Sequence, residues 1–337
     1  MLANLFILFL LQISILILLN KFAYKLDFLD YPNKRKTHIQ PTPYVGGLTI
    51  GISYLFITYL INIESFFIDL IIFYGILISL VGIIDDKFDI NPISKLILQS
   101  IPVCILISKG LYLNDIGEYE IIGKIYLGNY NLIFTFLCSL LIINAFNYLD
   151  GVDGLLSSIF INICSSFMIL CYLFDELYMS QLFIYFIFPV FIFFLFNISF
   201  LKLPKIFLGD SGSTLLGFLT GFLMIFLYSK LNINPSLLIW PVGLIIYDFL
   251  STNILRILKK KNVFSSGTDH IHYQISKKFN LNVFKLNLLM NILNYLITLL
   301  GIVIYFSLGS FFSLIGFILL FFLYLCYKLY LVNKISL

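Results

Sequence analysis

The sequence predicts an all-α, polytopic membrane protein, and three observations carry that expectation. Of 337 residues, 61% are apolar and 11% charged, where a soluble domain is nearer a quarter charged. Apolar runs of about 16 to 20 residues recur from end to end, each long enough to cross a bilayer as a helix. Only Lys109, Lys124 and Lys230 of the 21 Lys and Arg fall on one side of the topology those runs define. This composition excludes a water-soluble globule, a disordered chain and a nucleic-acid-binding domain. Cys104, Cys138, Cys164, Cys171 and Cys326 all lie inside apolar runs with no CxxC spacing. They read as small packing residues rather than a disulfide framework or a metal site.

About eleven spans follow in order, near 2–19, 45–63, 68–84, 96–108, 131–146, 155–173, 181–199, 213–228, 236–255, 286–308 and 311–327. The first has no Lys or Arg ahead of it and no small-residue cleavage site, so it reads as a retained helix rather than a signal peptide. With the positive charge inside, the N-terminus is outside and the C-terminus, with Lys328 and Lys334, is cytoplasmic. No repeat or low-complexity tail interrupts the pattern, so residues 1–337 read as a single integral-membrane domain. The longest loops are 20–44, 109–130 and 256–285.

Parity places every notable polar cluster at a cytoplasmic helix end. Asp85, Asp86 and Asp89 close the third span, and Lys95 and Gln99 share one face of the fourth. Adjacent carboxylates repel unless a cation or solvent separates them. A solvated helix end accounts for one Asp, and an ion and phosphate site accounts for three with the Lys. Asn144, Asn147, Asp150 and Asp153 recur every third residue, leading carboxamides into carboxylates, with Gly151 and Gly154 allowing close backbone approach. A capped turn explains one Asp-Gly. The stripe reaching back into an apolar helix points instead to hard oxygen ligands of the kind Mg²⁺ shares with substrate phosphates.

Gly209-Asp210-Ser211-Gly212-Ser213 opens the eighth span and exposes the free N–H groups of a helix start, with Asp210 as a cap or as a metal ligand. Asp248 is an acid inside a span, about two turns before Arg256, and such a group faces a cavity or a partner. Lys259, Lys260 and Lys261 serve orientation. His270 and His272 flank Ile271, as in a short loop element turning two imidazoles to one side. With no Cys or third His nearby, Zn²⁺ is the poorer reading and a diphosphate contact the better one. Asn33-Lys34-Arg35-Lys36-Thr37-His38, in the first cytoplasmic loop, reads equally as an anchor or as a substrate-facing segment.

In their order and spacing these motifs resemble the polyprenyl-phosphate N-acetylhexosamine-1-phosphate transferases, glycosyltransferase family 4. The resemblance runs from Pro32 to His272. Carried over by motif, Asp85 and Asp86 match the family's paired aspartates, Asn147, Asp150 and Asp153 its NxxDGxDG stretch, and Asp210 its metal aspartate. Asp269, His270 and His272 match its late His motif. That motif reads His270-Ile271-His272-Tyr273, where the phospho-MurNAc-pentapeptide translocase branch has three consecutive His and GlcNAc-type members often have a further His. The Arg35-Lys36-Thr37-His38 loop and the Asp248-to-Arg256 stretch look more like the GlcNAc-type branch.

The resemblance implies that polyprenyl phosphate attacks the sugar-linked phosphorus of a UDP-N-acetylhexosamine. Products are UMP and a polyprenyl-diphospho-sugar, a first step of cell-envelope glycan synthesis at the cytoplasmic face of the inner membrane. GlcNAc is the expected sugar, with a 6-deoxy sugar (FucNAc or QuiNAc) as the alternative. Expected catalytic residues are Asp85, Asp86, Asp150, Asp153 and Asp210. Asn147 and Asp210 would hold Mg²⁺, or Mn²⁺ in its place. Lys95, Asn147, Asp248, Arg256, Asp269, His270 and His272 would bind substrate. The bilayer is an expected partner and a second copy of the chain a candidate one; nucleic acid is not expected. Two rival readings start from the same residues. Asp150-x-x-Asp153-Gly154 opens like the CDP-alcohol phosphatidyltransferase motif, but Ser157-Ser158 and the absence of GxxxDxxxD exclude it. A transporter would need polar groups within several spans, whereas here they crowd one face.

Overall fold

The computed structural model describes residues 2–32, 40–61, 63, 65–263 and 267–335. In chain order these form α1 (Leu2–Leu26), a small antiparallel pair of β1 (Leu29–Asp30) with β2 (Thr42–Pro43), α2 (Gly46–Ile61), α3 (Phe66–Phe88) and α4 (Pro92–Ser108). A hairpin of β3 (Asp115–Tyr119) and β4 (Gly123–Tyr126) precedes α5 (Asn131–Leu149), α6 (Leu155–Leu173), α7 (Leu177–Asn197) and α8 (Gly209–Leu231). The remainder is α9 (Pro235–Leu238), a 3₁₀ turn at Trp240–Val242, α10 (Gly243–Leu258), α11 (Ile271–Phe279), α12 (Val283–Leu308) and α13 (Ser310–Ile335).

The protein is all-α and crosses the membrane many times. Each apolar segment read from the sequence coincides with helix. Among the described residues, nine helical stretches are long and apolar enough to span, and α2 and α4 are shorter apolar helices. At 1.5 Å per residue, their 16 and 17 residues reach about 24–26 Å, slightly under a hydrocarbon core of about 30 Å.

Two compact units divide the chain, one of residues 1–111 and 136–223, the other of residues 112–135 and 224–337. In the first, α1 buries Leu8, Gln12 and Leu16 at four-residue spacing and leaves Phe6, Leu10 and Leu18 exposed, as a helix with one lipid-facing side should. Polar side chains join the helices where no water competes: the Ser53 hydroxyl bonds the Gln12 side chain, and the Tyr54 hydroxyl donates to the Phe186 carbonyl at 2.8 Å. Backbones of α2 and α3 run directly against the start of α8. A Cβ on Gly47 would fall 2.1 Å from the Gly212 nitrogen, and one on Gly82 would fall 2.3 Å from the Ser211 Cα. Only glycine allows that approach.

In the second unit, the ninth apolar segment is broken. Pro235 and Pro241 start short turns ahead of α10, and the Asn294 amide donates to the Pro241 carbonyl at 3.0 Å. Trp240, Tyr247 and Phe317 form the core there, with the indole N–H donating to the Ser313 hydroxyl at 2.9 Å. The β3–β4 hairpin lies where the sequence suggested only an external loop. Its Glu120 carboxylate accepts the N–H groups of Ser310 (2.8 Å) and Phe311 (3.1 Å), capping α13. Those backbone bonds, the Ser310 amide foremost, hold the Glu120 carboxyl down to about 2.

Candidate active site

In the first unit, four motifs far apart in sequence meet at one end of the helices. Asn91 caps α4 by accepting the Ser94 N–H at 2.8 Å, with Pro92 in the first turn. That start sets Lys95 and Gln99 on the buried face. The Lys95 ammonium lies 2.7 Å from Asp85 Oδ2 and 2.5 Å from Asp210 Oδ2, bridging two carboxylates 125 positions apart in the chain. Asp85 Oδ1 also accepts the Ile90 N–H at 3.1 Å. The Asn147 amide donates to Asp210 Oδ1 at 2.7 Å and to the Ser213 hydroxyl at 2.9 Å, and Asn144 reaches Gln99 at 3.3 Å.

Asp86 is differently employed. Its Oδ1 accepts the Asp210 N–H at 2.9 Å and its Oδ2 the Ser211 N–H at 3.2 Å, so it caps the helix that carries Asp210. Gly209 fits this junction for two reasons: its φ is +74°, and a Cβ would stand 2.6 Å from Asp86 Oδ2.

Asp150 and Asp153 lie in the turn between α5 and α6. Burial pushes the Asp150 carboxyl up to about 8, with the Asp210 and Asp153 charges adding to it against Lys95. Asp153 pairs with Lys205 at 2.6 Å. The turn is pinned by Asn197, which accepts the Gly154 N–H and donates to the Ile206 carbonyl. Sequence reasoning missed Asn197 and Lys205. The available signal was an Asn ending an apolar helix and a Lys otherwise credited to orientation.

The second unit gathers the remaining expected residues around Asp248, which is 3% exposed. Its carboxylate accepts from His270 Nδ1 (3.0 Å), the Ile271 N–H (3.0 Å), the Tyr324 hydroxyl (3.2 Å) and the Lys328 ammonium (2.5 Å). Lys328, counted from sequence in the cytoplasmic tail, is instead wholly buried within α13. The Arg256 guanidinium takes Asp269 in a two-pronged pair at 2.8 and 2.7 Å. Burial favours the neutral Asp269 carboxyl, but Arg256 outweighs it and holds the group below the usual carboxylate range.

The two imidazoles do lie on one side, at the start of a helix rather than in a loop alone. His270 precedes α11 and His272 sits in its first turn, their rings stacked 5.8 Å apart and 6° from parallel. His272 is fully buried, and neither ring nitrogen has a partner among the described residues. Burial drives its pKa down to about 3, so the ring is neutral at physiological pH. Residues 33–39, which include Arg35, Lys36, Thr37 and His38, lie outside the described residues, as do Ser265 and Ser266.

Among the described residues, no three His, Cys, Asp or Glu side chains close into a metal cage. What exists is a pair of hard carboxylates, Asp85 and Asp210, already sharing one cation, with the Asn147 carboxamide beside them.

The sequence profile of glycosyl transferase family 4 matches residues 68–228, a stretch holding every residue of the Lys95-centred cluster. Curated relatives extend the likeness. An undecaprenyl-phosphate alpha-N-acetylglucosaminyl 1-phosphate transferase of Thermotoga maritima is 32% identical over 263 residues, 77% of each chain. Enzymes of the same name from Escherichia coli K12 (30% identical, covering 76% of this chain and 71% of the relative) and Yersinia pestis (29%, covering 80% and 75%) are also similar. The chain belongs to glycosyl transferase family 4. Within this family member, the Asp248 cluster lies beyond the profile's match.

Proposed function

We propose that this protein transfers an N-acetylhexosamine-1-phosphate, GlcNAc-1-phosphate in the first instance, from its UDP-sugar to polyprenyl phosphate, releasing UMP. The Lys95 bridge between Asp85 and Asp210, with Asn147 on the second oxygen of Asp210, carries this reading. It is a place built for a cation beside carboxylates, which is what bringing two phosphate-bearing substrates together requires. The names of the relatives support undecaprenyl phosphate and GlcNAc as the two halves of the product.

Phosphoryl transfer asks the protein mainly to position reactants and neutralise charge. A phosphate monoester is already ionised near neutral pH, so the acceptor needs little help from a base. Lys95 offers positive charge to phosphate oxygens. Arg256, His270 and His272 would hold the nucleotide-sugar, each oriented by its neighbours. The donor set suits Mg²⁺, which accepts one or two carboxylates and completes its shell with water and substrate phosphates rather than a protein cage. Asp210 and Asn147 would hold it, with Asp85 in reach through the shared cation site. Bound there, the ion would draw off charge from the diphosphate. A cytoplasmic orientation of these helix ends, as the positive-inside charge bias favours, would give the site access to nucleotide sugar.

Purified protein, polyprenyl phosphate and UDP-GlcNAc should yield UMP and a lipid-linked diphospho-sugar only when Mg²⁺ is present. Product from UDP-FucNAc or UDP-QuiNAc but not UDP-GlcNAc would reassign the sugar. No UMP from any UDP-sugar would refute the reading.

A further inference from the structure

The last helix contributes a charge that neither the sequence motifs nor the family likeness assigns. Lys328, on α13, reaches Asp248 Oδ1 at 2.5 Å, the Asp248 carbonyl at 3.2 Å and the Thr252 hydroxyl at 2.5 Å. An ammonium has three protons, and all three are placed, in a residue with no exposed surface. Tyr324, one turn earlier, adds a fourth donor to the same carboxylate. The far side of that carboxylate holds His270 Nδ1. A single buried anion therefore links the C-terminal helix to the imidazole of the late His motif.

A buried carboxylate left alone beside a histidine draws a proton onto the ring, because an opposite charge at that distance stabilises imidazolium. The surroundings of His270 balance without it. Asp248 is matched by Lys328, and Arg256 of the same helix α10 by Asp269. From α11, His272 is neutral and Lys277 and Lys278 are exposed. The one charged residue of α12 is the exposed Lys285, and Tyr273 and Tyr324 bring neutral phenols.

We propose that Lys328 is a positioning residue for the transfer site: it balances the charge of Asp248, so that the carboxylate fixes the His270 ring through Nδ1 while its pull on a ring proton is reduced. This rests on the reading that His270 belongs to that site. Held this way, the ring keeps one orientation toward an arriving diphosphate, whose negative charge favours a proton on the imidazole.

The chain has three histidines, so ¹⁵N-histidine NMR of the full-length protein in nanodiscs can follow each ring, with His38→Gln and His272→Gln giving the assignments. Lys328→Met should raise the His270 titration midpoint by about one to three pH units. Adding Asp248→Asn to that variant should bring the midpoint back toward the wild-type value, and the acid limb of the UMP-release profile should follow the ring. An unmoved midpoint in folded Lys328→Met overturns the proposal. Should Lys328→Met not fold, the double variant, which strands no buried charge, should fold. Its failure to do so would show that the shape of the lysine matters and not its charge, and would also overturn the proposal. A shifted midpoint in protein that releases no UMP from any UDP-sugar would separate the two readings, leaving the charge coupling intact while the proposed function falls.

Discussion

Asp86 holds Asp210 in place from behind: both oxygens of its carboxylate accept backbone N–H groups at the start of α8, 2.9 Å from the Asp210 nitrogen and 3.2 Å from that of Ser211. Its neighbour Asp85 faces Lys95 instead. Successive residues on a helix point about 100° apart, so one pair of adjacent acids serves two different partners.

Asp86→Ala should therefore behave as the loss of a helix cap, costing about 1–2 kcal/mol of stability and displacing Asp210. Asp86→Asn keeps one acceptor and should lose less. Thermal unfolding in detergent measures the first effect and UMP release the second. Full activity in Asp86→Ala would show that α8 holds its start without the cap.

Lys95→Met strands Asp85 and Asp210 without their shared cation. Breaking a buried pair in this way costs about 3–5 kcal/mol, and an added divalent ion should restore part of it. The variant is expected to gain more thermal stability from millimolar Mg²⁺ than the wild type does. Equal Mg²⁺ response in the two proteins would remove the cation site from this position.

Asp210→Asn preserves shape and removes charge. UMP release should fall at least about 100-fold, the scale for losing one well-placed electrostatic contact, with Asn147 left bonding a neutral amide. Turnover near the wild-type rate at ordinary Mg²⁺ would contradict the role given to Asp210.

His272 gives the protein an acid sensitivity whose sign follows from burial. The folded protein keeps the ring neutral down to about pH 3, whereas an unfolded histidine takes its proton below about 6.5. Between those limits the unfolded state binds more protons, so stability falls as pH falls, by up to about 1.4 kcal/mol per unit. Unfolding temperatures recorded from pH 7.5 to 5.5 should drop less steeply for His272→Phe. Parallel slopes would mean that the ring is solvated after all.

The spans were legible because each is a long apolar run, and the convergence of Asp85, Lys95, Asn147 and Asp210 because charge bias and parity put them at one end. The division of labour between Asp85 and Asp86 was not, since a sequence shows adjacency and hides the turn of the helix. Lys328 was misread because one lysine near the end of an apolar run looks like an anchor; only its burial against Asp248 reveals the partner. The β3–β4 hairpin offered no clear signal either, being short and bounded by ordinary loop residues. Asn197, at the far end of α7, and Lys205, in the loop after it, act on the Asp153 turn, a relation that spacing along the chain does not encode.

The pairing of Asp248 with a lysine 80 residues later has a consequence for biogenesis. The ribosome delivers α10 well before α13, so the acid enters the membrane before its counter-charge has been synthesised. Glu120 waits longer still for Ser310, 190 residues downstream. Arrival of the final helix satisfies both at once, one near each of its ends. A nascent chain stalled before α13 thus leaves Asp248 with His270 and the Ile271 amide as donors but without the lysine that balances its charge, and Glu120 without the helix start it caps.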